Sequence, residues 1–206
     1  MRRRALLAGG LALLVAPPAR ALTYRDMTGR EVAMAAPARR IVSLVPSVTE
    51  LIYALGGEAR LVGRTDFCDY PPAARDKPSV GEMVAPSLEV IVALRADLVI
   101  GTTDGSRAET FTQLRRLGFP VYLVRANRVA EVLDLVARVG DLAGRAAAVA
   151  TVVGQMNDGI ARVRKAVEPY RAPRVLYVLW PDPLIVPGRG ALVSELHTAD
   201  LVTADQ

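Results

Sequence analysis

Four short apolar runs, each separated from the next by a segment of helical spacing or turn residues, constrain this chain more than any other feature. The runs are RIVSL at 40–44, LVG at 61–63, DLVI at 97–100 and PVYLV at 120–124. They show no alternation of apolar and polar positions. A strand that is apolar on both faces must be covered on both, and that is the condition of a parallel sheet flanked by helices. Strands alternating with helical segments therefore predict an α/β fold with a central parallel sheet.

The helical segments carry their own punctuation. Ser47-Val-Thr-Glu50 has the spacing of a capping box, in which Ser and Glu side chains satisfy free N–H groups at a helix start. The helix it opens runs through Leu51, Ile52 and Leu55 and stops at Gly56 and Gly57, where a left-handed C-cap costs little. Asp69, Tyr70, Pro71 and Pro72 mark a turn or loop. Ser87 caps a short helix through Ala93, and Ser106-x-x-Glu109 opens another that ends at Gly118. From Val129 the alternation breaks. Val132, Leu133, Leu135, Val136 and Val139 continue the helical spacing, and residues 144–167 extend it as a long alanine-rich helix. Pro169 and Pro173 end that helix, and RVLYVL at 174–179 predicts a new strand. The organisation predicted is a first α/β lobe over 22–127, linking helices over 128–170 and a partial second α/β lobe over 171–206. The long helix reads as a rigid connector that permits small rocking.

The first residues read as an export signal. Arg2, Arg3 and Arg4 form a basic region, residues 5–16 are uncharged and mostly apolar, and Ala19-Arg20-Ala21 supplies a small-x-small cleavage pattern. Cleavage is predicted after Ala21. The apolar run is shorter than the roughly 20 residues that span a bilayer. A retained anchor or an amphipathic first helix is the competing reading, and the paired arginines also fit a twin-arginine signal. No cysteine follows the apolar run, so lipid attachment there is excluded and the mature chain is expected free in the periplasm.

Removing Arg2, Arg3, Arg4 and Arg20 leaves 22 of the 26 basic residues against 21 acidic ones, a formal +1. The apparent basicity thus belongs mostly to the leader, and a nucleic-acid or anionic-membrane partner loses its support. Cys68 is the only cysteine, so no intramolecular disulfide forms, and the residue reads as small and buried. Nucleotide-binding and nucleophile-elbow patterns are absent from the sequence. His197 is the only histidine, which excludes a multi-histidine metal site. Asp66 and Asp69 suit turn chemistry better than paired catalytic carboxylates. No catalytic residue, metal site or cofactor is predicted.

The ordered set RIVSLVPSVTEL at 40–51, LVG at 61–63, DYPP at 69–72 and LEVIVALRADLVI at 88–100 resembles the helical-backbone class of periplasmic binding proteins. These serve ABC importers of cobalamin, ferric siderophores and haem. The resemblance runs over about 39–193, and TDFCDYPP at 65–72 looks most like the cobalamin branch. It implies a monomeric receptor with two βα lobes joined by a long helix and a ligand, here cobalamin or a related corrinoid, held between them. Ligands of such folds sit beyond the carboxyl ends of parallel strands. The resemblance also implies that a surface glutamate on each lobe docks onto arginines of the membrane permease, which works with its ATPase. Glu89 occupies the first-lobe position, where a carboxylate near a helix start is favourable and can steer a basic partner.

Six residues are candidates for ligand contact. Phe67 aligns with a ligand-contacting aromatic of the cobalamin branch, and Tyr70 is either a second aromatic contact or a turn anchor. Met83 stands where that branch often has an aromatic. Thr103 and Asp104, after Thr102, either hydrogen-bond ligand amides or form a turn before Ser106. Trp180 is expected at a strand's carboxyl end in the second lobe, with a core role as its alternative. A ferric siderophore or haem is the alternative ligand, and an exported chelatase-like α/β enzyme the alternative class. The family usually continues after Glu195-Leu196 with further βα units, whereas this sequence stops at Gln206. An incomplete second lobe is therefore expected, with weakened or absent ligand affinity.

Overall fold

A computed structural model describes residues 21–104, 106–171, 174–188 and 190–197. Residues 1–20 of the expected leader over 1–21, Pro173 and the segment after His197 lie outside the described residues, as does the side chain of His197 itself.

The four apolar runs form one parallel sheet. β3 (Ile41–Ser43), β4 (Leu61–Arg64), β5 (Leu98–Thr102) and β6 (Val121–Val124) lie in the order β4-β3-β5-β6. Ile41 pairs with Leu61 on one side and with Leu98 on the other, and Val99 pairs with Val121. Every residue of β5 and β6 is buried. Their side chains divide by period two. Ile41, Leu98, Ile100 and Tyr122 enter one core with Val48 and Ile52 of α1 (Pro46–Ala54). Val42, Val99, Val121 and Leu123 enter the other, with Ile91 of α2 (Leu88–Ala93) and Phe111 and Leu114 of α3 (Ala108–Arg116). Each fully buried aliphatic side chain stabilises the fold by roughly 1.5–3 kcal/mol. This is the α/β architecture expected.

A hairpin not foreseen in the sequence precedes the sheet. β1 (Leu22–Arg25) pairs antiparallel with β2 (Glu31–Met34), and Val32 and Met34 reach into the first core. Asp26 shapes its turn by accepting the N–H groups of Thr28 and Arg30, each at 2.9 Å. The Met27 N–H donates to the Leu123 carbonyl at 3.0 Å and fastens the turn to β6.

Two helices follow β6 without an intervening strand, α4 (Val129–Leu142) and α5 (Ala146–Val167). They cross where Gly140 meets Val149, and a Cβ at 140 would lie 2.4 Å from the valine methyl, so only glycine permits that approach. Leu135, Val136, Val139 and Leu142 of α4 and Val152 of α5 belong to the first core. The segment expected to link lobes is thus partly core of the first one. Farther along α5 the apolar side chains of Val163 and Val167 are exposed.

Three local expectations are corrected. The helix at 46 has Val45 as its N-cap with Pro at its first turn, and no side chain caps it, so Ser47 lies inside the helix. Proline needs no N–H partner and has the helical φ already, which moves the start two residues earlier, with the cap at Val45 instead of Ser47. Ser106 likewise caps nothing; α3 begins after Arg107 without a side-chain cap. Finally, residues 174–179 form no strand. Only β7 (Trp180–Pro181) and β8 (Leu184–Ile185) pair, antiparallel, and α6 (Leu192–His197) follows. A strand exists only through a neighbour's hydrogen bonds, and the described part of this region offers 174–178 none in a sheet.

Candidate functional site

The sheet order places a switch point between β3 and β5. From β3 the chain leaves through α1 to β4, and from β5 it leaves through α3 to β6 on the opposite side. Loops that diverge in this way open a crevice at the carboxyl ends of the two strands. The residues there are Val45 and Pro46 after β3, and Thr103 and Asp104 after β5. The β4 loop, with Phe67 and Tyr70, borders the same edge.

Both aromatics are displayed. Phe67 is 59% exposed and Tyr70 63%, so about half of each apolar body or more faces outward from an otherwise ordered loop. Beside them Cys68 is buried, with its Sγ 3.2 Å from the Thr65 hydroxyl. Asp69 pairs with Arg75 at 3.1 Å, and Asp66 accepts the Ser79 hydroxyl. Each carboxylate is thus engaged in loop geometry, as turn chemistry requires. Tyr53 adds a strut by donating its hydroxyl to the Ala73 carbonyl at 3.0 Å; burial pushes its phenol pKa up, with Asp76 and Glu58 adding to the effect.

The segment carrying Met83 is attached to the same edge at two points. The Asp66 N–H donates to the Gly81 carbonyl at 2.9 Å, and the Ser106 hydroxyl donates to the Met83 carbonyl at 3.3 Å. Met83 is half-buried beside the loop that bears Thr103 and Asp104, both exposed. Between those two alternatives, the Asp104 N–H donates to the Thr102 hydroxyl at 3.1 Å, so a threonine builds the turn and the Asp104 carboxylate is left facing solvent. Phe67, Tyr70, Met83, Thr103 and Asp104 therefore belong to one rim.

Trp180 is placed otherwise. It is 59% exposed on the β7–β8 hairpin, and its indole N–H donates locally to the Asp182 carbonyl at 2.8 Å. Its exposure removes the alternative core role, and its expected place at the carboxyl end of a strand is corrected, since Trp180 opens β7 instead. The second region is nevertheless fastened near the rim: the Glu195 carboxylate on α6 accepts the Val129 N–H at 2.7 Å, where α4 leaves the carboxyl end of β6.

Glu89 stands in the first turn of α2. Ser87 caps that helix, its hydroxyl accepting the Val90 N–H at 3.3 Å and donating to Glu89 Oε2 at 3.0 Å. The residue's own backbone N–H, then the Ser87 hydroxyl, hold the carboxyl below its ordinary 4.5. The side chain is exposed, and its anionic form is favoured.

Sequence reasoning missed Val45 and Pro46, since their place at the crevice depends on strand order. Among the described residues no cluster of three or more His, Cys, Asp or Glu could hold a metal ion. A cavity of about 490 Å³ lined by Leu22, Tyr24, Pro37 and Asp141 lies by the amino end of β3, away from this rim.

A profile of the periplasmic binding protein family matches residues 41–205. The chain belongs to that family. It is 34% identical over 114 residues to the vitamin B12-binding protein of Vibrio cholerae, covering 55% of this chain and 41% of that protein. The crystal structure of the periplasmic vitamin B12-binding protein of Vibrio cholerae superposes with a TM-score of 0.71 at 27% identity, over 81% of this chain and 64% of that one. A periplasmic haem-binding protein from Pseudomonas aeruginosa superposes at 0.63 and 29% identity, over 68% of this chain and 52% of its own. The chain thus spans less than half the length of the curated vitamin B12-binding relative. Family and neighbours are solute-binding proteins, which is the class the sequence resembled.

Proposed function

We propose that this chain supplies the first lobe and linking helices of a non-catalytic periplasmic receptor for a corrinoid, cobalamin foremost. The receptor hands its ligand to the permease of an ABC importer and its ATPase. The observation that carries this reading is the pair of exposed aromatics, Phe67 and Tyr70, on an ordered loop at the carboxyl edge of the sheet. Flat apolar faces suit the edge of a large macrocycle. Met83, Thr103 and Asp104 complete the rim, the last two offering hydrogen bonds to peripheral amides. Trp180, exposed on the hairpin of the second region, is the further aromatic this reading assigns to the ligand. The vitamin B12-binding relative supports the corrinoid over other ligands. Glu89 is the docking charge for basic residues of the permease. The leader over 1–21 directs export.

Haem is the second reading, supported by the Pseudomonas structure and by the exposed phenol of Tyr70, a possible iron ligand. Titration of the chain with cyanocobalamin, haem and a ferric siderophore, followed by Trp180 fluorescence, ranks the three. The same titration is run on a version extended by a second lobe of the family. Saturable quenching by cobalamin at the lowest concentration supports the proposal. A cobalamin response in neither version removes the corrinoid, and chemical turnover of any ligand replaces the receptor by a chelatase-like enzyme.

A further inference from the structure

The loop that displays Phe67 and Tyr70 is closed from within by one side chain. Arg64 ends β4 and points its guanidinium into the loop that follows. Nη1 donates to the Thr65 carbonyl at 2.9 Å, Nε to the Ala74 carbonyl at 3.1 Å, and Nη2 to the Arg75 carbonyl at 3.1 Å. The first acceptor opens the loop and the other two close it, in the short 3-10 turn Pro72–Asp76. No carboxylate forms a salt bridge with Arg64 among the described residues, where the ion pairs are Arg25–Glu31 and Arg75–Asp69. Its charge is balanced by carbonyl dipoles, including those at the end of a helical turn, where a cation is favoured.

A planar guanidinium, with five donors fixed on three nitrogens, suits three carbonyls lying in different directions better than the single nitrogen of a lysine does. The loop's other contacts each make a single link: Cys68 N–H to Thr65 at 3.0 Å, Ala74 N–H to Pro71 at 2.7 Å, Tyr53 hydroxyl to Ala73 at 3.0 Å, the Asp69–Arg75 ion pair at 3.1 Å, and the bonds of Asp66 to Ser79 and Gly81, with Cys68 and Ala74 buried beneath. Phe67 and Tyr70, being exposed, are not held by packing of their own rings. Their spacing is set by the backbone beneath them, and Arg64 is the side chain that ties the first residue of that loop to its closing turn.

We infer that Arg64 is the positioning residue of the aromatic rim, presetting the loop at 65–76 so that its two rings meet a ligand without an ordering cost. It touches no ligand. A rim ordered in advance binds more tightly because the loop's conformational entropy is already lost before association. The inference rests on the proposed ligand-binding role of the rim for its consequence in affinity, but not for the ordering itself.

Hydrogen exchange separates the two. In the ligand-free chain, Arg64→Gln is expected to raise amide exchange over 65–77 at least tenfold while the core strands at 98–102 and 121–124 keep theirs. Arg64→Lys, a point charge that reaches fewer carbonyls, is expected to fall between. Unchanged exchange over 65–77, an equal rise in loop and core, or full rescue by lysine overturns the inference. In the extended version, Arg64→Gln is then expected to weaken whichever macrocycle binds the wild type by about tenfold, while the core strands at 98–102 and 121–124 keep their protection from exchange. Unaltered affinity with a loosened loop would also overturn it. Should the wild type bind no macrocycle, the proposed function falls, and the exchange pattern still decides the ordering role of Arg64.

Discussion

The hydroxyl of Ser106 donates to the backbone carbonyl of Met83 at 3.3 Å and joins two loops whose ends lie 23 positions apart in sequence. A residue with the spacing of a helix cap has been diverted to a tertiary partner. The bond ties the loop after β5 to the segment between β4 and α2, and so makes the rim one continuous wall. Ser106→Ala is expected to cost about 1 kcal/mol, the typical worth of one hydrogen bond, or about 2–4 °C in Tm for a chain of this size. Differential scanning calorimetry checks the loss. A cost near zero would mean that the two loops are held by other contacts.

Glu89 is expected to titrate below 4.5, because its own backbone N–H and the Ser87 hydroxyl stabilise the anion. The sign follows from linkage: a carboxyl whose folded pKa is depressed adds stability above the unfolded value, and the gain disappears as pH falls through the folded one. The side chain is exposed, so the effect on stability is small. The charge itself is what persists in mild acid. Carboxyl NMR should give a midpoint below 4.5 that moves up in Ser87→Ala. Glu89→Gln is expected to lower stimulation of the importer's ATPase while leaving ligand affinity as it was; loss of affinity would place Glu89 in the binding rim instead.

At the other edge of the sheet, Arg95 has φ +47°, a left-handed conformation that costs a non-glycine residue roughly 1–2 kcal/mol. The chain accepts it because the Leu94 and Arg95 carbonyls are gripped by the Arg40 guanidinium at 2.7–3.2 Å. The Asp97 carboxylate in turn accepts the N–H groups of Arg39 and Arg40 at 2.8 and 2.9 Å. Arg95→Gly keeps both carbonyls and removes the strain, against a glycine entropy cost of about 0.5–1 kcal/mol. A net gain of about 0.5–1 kcal/mol is expected from the difference, measured as a higher urea midpoint. Arg40→Ala, which releases two carbonyls, should move the midpoint the other way.

The four strands of the sheet were legible because a strand buried on both faces leaves an unbroken apolar run, and RIVSL, LVG, DLVI and PVYLV are such runs. The glycines that stop α1 and α3 were legible for a similarly local reason: Gly56 and Gly118 have φ of +65° and +87°. Ser47 was misread because Pro46 already starts the helix, and Ser106 because a capping pattern records spacing and nothing of what else the hydroxyl can reach. Residues 174–179 were misread as a strand because β propensity is half of a pair, and the partner is not encoded in the run itself. Phe67 and Tyr70 could be chosen by their chemistry, with their position after a strand as guide. Arg64 could not, since its three acceptors are backbone carbonyls whose positions exist only once the loop has folded.

Tyr122 gives the fold an alkaline limit. Its ring is buried in the first core, and its hydroxyl donates to the Arg25 carbonyl at 3.1 Å, an acceptor shared with the Arg138 guanidinium at 3.2 Å. Burial pushes the phenol pKa above its ordinary 10.0, with the hydrogen bond and charge of Arg138 opposing and Asp26 adding to the rise. The folded chain therefore keeps this proton at a pH where the unfolded chain has lost it. The stabilisation is complete below the unfolded value near 10 and is lost progressively as pH rises toward the folded one. Stability of the wild type measured in urea should thus decline from about pH 10 upward. In Tyr122→Phe that decline should be shallower, while stability at neutral pH falls by about 1 kcal/mol for the lost hydrogen bond. Parallel alkaline slopes in the two proteins would show that another group sets the limit.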